Sequence, residues 1–180
     1  RVIPKYHEFL AKFPDVQRLA QASVGDVLIV WSGLGYNRRA KFLWQAAQKI
    51  QNDFAGKFPN TFEDLVTLPG VGKNTAGAIL AYAYNQPILF IETNIRTVYI
   101  HHFFNDQTDV PDKAIAELVL LTLPTEGKEQ PDKKSRLFAG ASRKTAGLSR
   151  SWYWALMDYG TYLKQTVGNA SRASKTYKKQ

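Results

Sequence analysis

Apolar positions recur at helical spacing from the first residues onward. Val2, Tyr6, Phe9, Leu10 and Phe13 share one face of a predicted packing helix that Pro14 stops. The same spacing predicts short helices over 16–22 and 24–31. A longer one spans 39–54, with Phe42, Leu43, Ala46, Ala47 and Ile50 on its stripe and Gly56 ending it. Thr61 precedes Glu63 and Asp64, which places acids in the first turn of a helix whose apolar side is Phe62, Leu65 and Leu68, and Pro69-Gly70 breaks it. Another helix runs from about residue 73 to 84. Segment 88–91 could support a strand, but no second strand follows, so it reads as an extended entry into a helix over 94–104. Helices over 114–123 and 151–164 complete an all-α set. Between them, 124–149 mixes Pro, Gly, Lys, Arg and Ser without periodicity and reads as a long exposed loop. The stretch 166–180 holds Arg172, Lys175, Lys178 and Lys179 with no acid and reads as a mobile basic tail.

Composition narrows the function. A chain of 180 residues with 44% hydrophobic residues can build one generous domain or two small lobes. A formal charge of +9 and a pI near 9.7 suit a polyanionic partner, nucleic acid or an acidic membrane. No apolar run approaches the roughly 20 residues that span a bilayer, and the start has no signal-peptide layout, so a soluble intracellular protein is the default expectation. Without cysteine there is no disulfide framework, thiol nucleophile, thiolate-bound zinc or iron-sulfur cluster. His101 and His102 are adjacent on a helix and point in different directions. With His7 they read as structural or surface residues, not metal ligands.

The sharpest local signal is Leu68-Pro69-Gly70-Val71-Gly72-Lys73-Asn74-Thr75-Ala76. It lies between two helices, and its glycines allow a tight turn whose amides approach a partner closely. The following helix aims its positive N-terminal end at the same place, while Lys73 adds a charge and Thr75 a hydroxyl. Such a turn can hold a phosphate without reading sequence; the plainer alternative is a glycine-capped turn between helices.

Leu68 to Gly72, followed by Thr75-Ala76-Gly77-Ala78-Ile79-Leu80, closely resembles the helix-hairpin-helix of the MutY and endonuclease III superfamily of DNA glycosylases. The likeness extends through 1–13, through Trp31-Ser32-Gly33-Leu34-Gly35-Tyr36, which resembles MutY-type adenine glycosylases, and through Lys57-Phe58-Pro59. It continues in Glu92-Thr93-Asn94-Ile95-Arg96 and Ala155-Leu156-Met157-Asp158-Tyr159-Gly160, covering about two thirds of the chain. The resemblance implies an all-α, two-lobed fold with a DNA cleft. A lobe like a six-helix barrel would span 1–110 with the hairpin at 61–84, and a second helical lobe 111–165. It also implies Na+ or K+ held by hairpin carbonyls at Leu68 and Val71. DNA contacts are expected from Gly70, Val71, Gly72, Lys73, Asn74 and Thr75, and from Gly35, Tyr36, Arg38 and Arg39. Tyr36 resembles a tyrosine that enters the duplex near the opposing purine, although an aromatic after glycines can simply pack its turn.

Cutting a glycosidic bond builds oxocarbenium character on the sugar, which a nearby carboxylate stabilises while an acid protonates the leaving base. The resemblance assigns the carboxylate to Glu92, where the family has Asp. The extra methylene moves the charge by roughly 1.5 Å, and a small misplacement can cost about 100-fold in rate. Alternatively Glu92 caps the helix near Asn94 or pairs with Arg96. Asn94 matches a family Asn that orients the carboxylate or contacts the sugar. The family's second acid is a Glu on a helix preceding the segment that resembles 1–13, a helix this sequence does not include. Bifunctional members carry a nucleophilic Lys where this chain has Asn74, so hydrolysis without lyase chemistry is expected. The cluster cysteines that follow the Met157 to Gly160 segment in most members are replaced, implying a clusterless variant. Trp152, Tyr153 and Trp154 read as core.

The expected function is therefore a monofunctional adenine glycosylase of base-excision repair, acting on adenine opposite guanine or 8-oxoguanine. The alternatives are a thymine or uracil mismatch glycosylase and a non-catalytic DNA-binding protein. Mismatched or oxidised duplex DNA is the expected partner, with no membrane and a monomeric state. The expected location is the cytoplasm of a bacterium or the nucleus of a eukaryote.

Overall fold

The computed structural model describes residues 2–124 and 148–176. Among these, every regular element is helical, and the sole β-type contact is an isolated bridge between Val110 and Ser174. The all-α expectation holds. The chain forms two compact units, Arg1–Ala76 and Gly77–Gln180. The division falls inside a helix, and the segments on either side of residue 110 share one core.

The first unit holds α1 (Val2–Lys12), α2 (Val16–Gln21), α3 (Val24–Trp31), α4 (Asn37–Asp53) and α5 (Phe62–Leu65). Its starts follow capping chemistry. Asp15 accepts from the Arg18 amide at 2.7 Å, and Ser23 accepts from the Asp26 amide at 3.1 Å, caps that contribute about 1 kcal/mol each. Thr61 caps α5 through the Asp64 amide at 3.2 Å. The stripe of α4 buries Ala40, Ala46, Ala47 and Ile50. With Phe13, Leu19, Val27 and Val30, Ala40 and Ala47 form a core flanked by Phe9 and Trp44. The packing face predicted for α1 is only partly used: Phe9 meets Phe13 and Trp31, but Val2, Tyr6 and Leu10 are exposed.

The second unit is built around α7 (Thr93–Phe103), which buries Ile95, Thr97, Val98, Tyr99 and Ile100. The end of α6 (Lys73–Tyr82), the extended segment 88–91, α8 (Asp112–Thr122) and α9 (Ser149–Thr166) complete the unit. Tyr153 crosses the core and donates to the Ile88 carbonyl at 2.8 Å; its burial pushes the phenol well above its ordinary range. Burial likewise drives the Tyr99 phenol up to about 12, with its hydroxyl on Thr122.

Two expectations need correction here. The stretch from 166 to 176 is not a mobile tail. The chain turns at Gly168, and the 3-10 turn Ala170–Ala173 lies on α7. Val110 donates to the Ala173 carbonyl and accepts from the Lys175 amide, both at 2.9 Å, and Ser171 and Ser174 are buried. The Asn169 carboxamide oxygen accepts from both the amide and hydroxyl of Ser171, which satisfies polar groups that a solvated tail would leave to water. Lys178 and Lys179 lie outside the described residues, as does most of the loop expected over 124–149. Trp154 is the second correction. Tyr153 is core, but Trp154 is 54% exposed, stacked against Tyr82 at 6.5 Å.

Candidate functional site

The hairpin turn belongs to the first unit. Gly70 has φ +79°, and an added Cβ would stand 2.7 Å from Phe42 Cβ, so this position requires glycine twice over. The turn closes with the Val71 amide on the Leu68 carbonyl at 3.0 Å. In α6 the first backward bond runs from the Ala76 amide to the Gly72 carbonyl at 2.9 Å, so the earlier amides of Lys73, Asn74 and Thr75 face outward from the helix end. Gly70, Gly72, Lys73, Asn74 and Thr75 are all exposed. A row of outward amides beside an ammonium and a hydroxyl can bind a phosphate oxygen.

A second exposed feature lies nearby in the same unit. Gly33, Gly35 and Tyr36 all take left-handed backbone, and Trp31 donates from its indole to the Gly35 carbonyl at 2.9 Å to hold the turn. Tyr36, with φ 51°, stands before α4 and is 83% exposed, so its ring does not pack the turn. Left-handed backbone in a tyrosine costs roughly 1 kcal/mol or more. Arg39 lies over the Trp31 ring at 5.6 Å, and Arg38 over Phe42 at 5.1 Å. Phe42 thus touches both Gly70 and Arg38, joining the hairpin turn to the basic start of α4.

The carboxylate belongs to the second unit. Glu92 is the N-cap of α7, and its Oε1 accepts from the Asn94 amide at 2.6 Å and the Ile95 amide at 3.0 Å. Capping is therefore real, whereas pairing with Arg96 is not: that guanidinium makes a two-pronged contact with Asp112 at 2.8 and 2.7 Å. Both capping bonds of Glu92 fall on one oxygen, Oε1. Asn94 turns its side chain toward α9, with Oδ1 accepting from Lys164 and Nδ2 facing Met157 Sδ at 3.8 Å. Tyr82 lies in the same neighbourhood. Its hydroxyl is buried without a partner among the described residues, and burial, then the charges of Glu92 and Asp158, push its phenol up.

Residues 1–122 match the model of the HhH-GPD superfamily of base excision DNA repair proteins. The chain belongs to this superfamily. It is 35% identical over 122 residues to the adenine DNA glycosylase of Buchnera aphidicola subsp. Baizongia pistaciae, covering 68% of this chain and 34% of the relative. It is 42% identical over 98 residues to that of Mycobacterium tuberculosis, covering 54% and 32%. The human adenine DNA glycosylase is 40% identical over 98 residues, covering 54% and 18%. The chain thus spans about a third or less of these curated relatives. A thermostable thymine-DNA glycosylase shares the fold at TM-score 0.59 and 23% identity, covering 87% of this chain and 64% of that one. So does endonuclease III, trapped as a DNA covalent intermediate, at TM-score 0.61 and 14% identity, covering 88% and 65%.

For this superfamily member the sequence reading missed the supporting residues. Phe42 was placed only on the stripe of the helix over 39–54, and Trp31 only where the helix over 24–31 ends and the Trp31–Tyr36 motif starts. Lys164 was placed only at the end of the helix over 151–164. Gly160 was readable only as part of a motif, yet an added Cβ there would meet the Asn94 carbonyl oxygen at 2.6 Å. A glycine inside a helical pattern is a signal of close packing, and it was available. Of the three histidines read as structural or surface residues, His102 bonds the Tyr159 hydroxyl at 2.8 Å, and burial followed by the charge of His101 lowers its pKa. Among the described residues no group of His, Asp or Glu is placed to hold a metal.

Proposed function

We propose that this chain is the DNA-binding and carboxylate-bearing part of a monofunctional adenine DNA glycosylase. It acts on double-stranded DNA in which adenine lies opposite guanine or 8-oxoguanine. The observation that carries the reading is Glu92, a carboxylate held by the amides of Asn94 and Ile95, among the described residues through Oε1 alone. That leaves Oε2 to face the anomeric carbon, where it stabilises oxocarbenium character as the base departs or orients the attacking water. The hairpin amides of 73–75 hold a backbone phosphate, Arg38 and Arg39 add further phosphate contacts, and the exposed Tyr36 enters the stack beside the opposing base. Asn74 offers no amine, so the product is an abasic site left intact. The carbonyls of Leu68 and Val71 would hold Na+ or K+; Leu68 O already accepts one amide and keeps a second lone pair. The protein works as a monomer wherever its DNA lies, in bacterial cytoplasm or a eukaryotic nucleus. Among the described residues no helix is long and apolar enough to cross a membrane.

The capping bonds favour a second reading, in which Glu92 only caps α7 and the protein binds DNA without excision. Glu92→Gln separates the two, because a carboxamide oxygen still accepts from both amides while the charge is gone. Single-turnover excision should be measured on duplexes carrying adenine opposite 8-oxoguanine, adenine opposite guanine, thymine opposite guanine and uracil opposite guanine. The glycosylase reading expects release from the adenine duplexes, lost by about 100-fold or more in Glu92→Gln with duplex affinity intact. Release unchanged by the substitution, or tight binding with no release by this chain and by the full-length protein alike, refutes it.

A further inference from the structure

Helix α9 approaches the start of α7 closely at Gly160, where an added Cβ would stand 2.6 Å from the Asn94 carbonyl oxygen and 2.7 Å from its Cβ. One turn further along α9, half-buried Lys164 reaches the same residue, its ammonium donating to Asn94 Oδ1. Lys164 has no ion pair among the described residues. Its place is unusual electrostatically. The amino end of a helix carries positive potential and disfavours a cation, so packing alone does not call for an ammonium there. The anion at that end is Glu92, held by the amide of the very residue that Lys164 holds by its side chain.

We infer that Lys164 is a positioning residue for the Glu92 carboxylate. It pins Asn94 from the α9 side, which fixes the first turn of α7 and thereby the two amides that hold Oε1. It also fixes the rotamer of the Asn94 amide, directing Oδ1 toward α9 and Nδ2 toward Met157. A flexible four-carbon stem with a three-donor head can span two helices in this way, and Gly160 keeps them close enough for it to reach. The inference rests on the reading of Glu92 as the carboxylate that serves excision, and extends it by naming the group that holds it in register.

Lys164→Met and Lys164→Arg, made in the full-length protein, test this on a duplex carrying adenine opposite 8-oxoguanine. Methionine keeps an apolar stem and removes the ammonium; arginine keeps charge and donors. The expected result for Lys164→Met is a single-turnover rate at saturating protein that falls roughly 10- to 100-fold, as sub-ångström misplacement of a reacting group does. Affinity for the same duplex carrying a non-hydrolysable adenine nucleoside should change by less than about 3-fold, the split expected when only the transition state loses stabilisation. Lys164→Arg should restore most of the rate. A wild-type rate in Lys164→Met overturns the inference, as do equal losses in both variants or a Met variant that fails to fold, because each reduces Lys164 to packing. A wild-type protein that releases no base, or a Glu92→Gln protein that keeps its rate, refutes the Glu92 reading itself and this inference with it. That failure is recognised without any Lys164 variant.

Discussion

Replacing Gly160 by alanine sets two opposed effects against each other. Gly160 lies in the interior of α9, where alanine is favoured over glycine by about 1 kcal/mol. An added methyl, however, would stand 2.6 Å from the Asn94 carbonyl oxygen, 2.7 Å from its Cβ and 2.9 Å from its carbonyl carbon. Ordinary contact begins near 3.5 Å, so the shortfall approaches an ångström, and two of the three neighbours are backbone atoms of α7 that no rotamer change can move. The helices must separate. Overpacking of this kind costs roughly 1–3 kcal/mol or more, and it also slackens the Lys164 contact. A net loss of about 1–2 kcal/mol is expected, lowering the unfolding midpoint by roughly 4–15 °C for a unit of about this size. Gly25→Ala is the internal control: it too is helical, but its nearest neighbour would be Ser23 Oγ at 3.6 Å, so stability there should hold or rise slightly. Urea unfolding of the two variants against the parent reads the difference. If Gly160→Ala equals or exceeds the parent in stability, the close approach of α9 to α7 is not tight, and the role given to Gly160 is wrong.

Two further outcomes follow from the geometry. The Asp112 carboxyl is held below its ordinary value mainly by hydrogen bonds from Arg96, burial opposing and the guanidinium charge adding to the effect. A depressed carboxylate stabilises the fold above its ordinary value of 3.8 and loses that contribution as pH falls below it, so Asp112→Asn, at a side chain 35% exposed and therefore screened by solvent, should cost about 0.5–1 kcal/mol at neutral pH. The gap to the parent, read by urea titration across pH, should close below about pH 4; a gap that widens there would contradict the assignment. In the hairpin turn, Gly70→Ala meets both a positive φ and Phe42 at 2.7 Å, and should destabilise by about 1–3 kcal/mol. Gly72→Ala has nothing within 4 Å and should leave stability within about 0.5 kcal/mol while weakening duplex binding, measured by titration of labelled DNA.

The helices and their starts were legible along the chain because they rest on local rules. Asp15, Ser23 and Thr61 cap where polar side chains precede apolar runs, and Pro14 and Gly56 stop helices by backbone geometry alone. The hairpin was legible for the same reason, since a left-handed turn leaves glycine in the sequence at Gly70. Glu92 was located by its motif, and its capping of α7 stood among the alternatives because both partners lie within three residues. What tertiary structure decided involves partners far apart in sequence. That Arg96 meets Asp112 and not Glu92, that Lys164 reaches Asn94, and that Val110 bridges the segment after Gly168 all depend on which helix faces meet. Residues 166–176 read as a solvated tail because composition records charge and polarity but not the satisfaction of serine and asparagine groups by distant backbone. Trp154 read as core because hydrophobicity predicts burial on average, and only the orientation of α9 could turn that one ring outward.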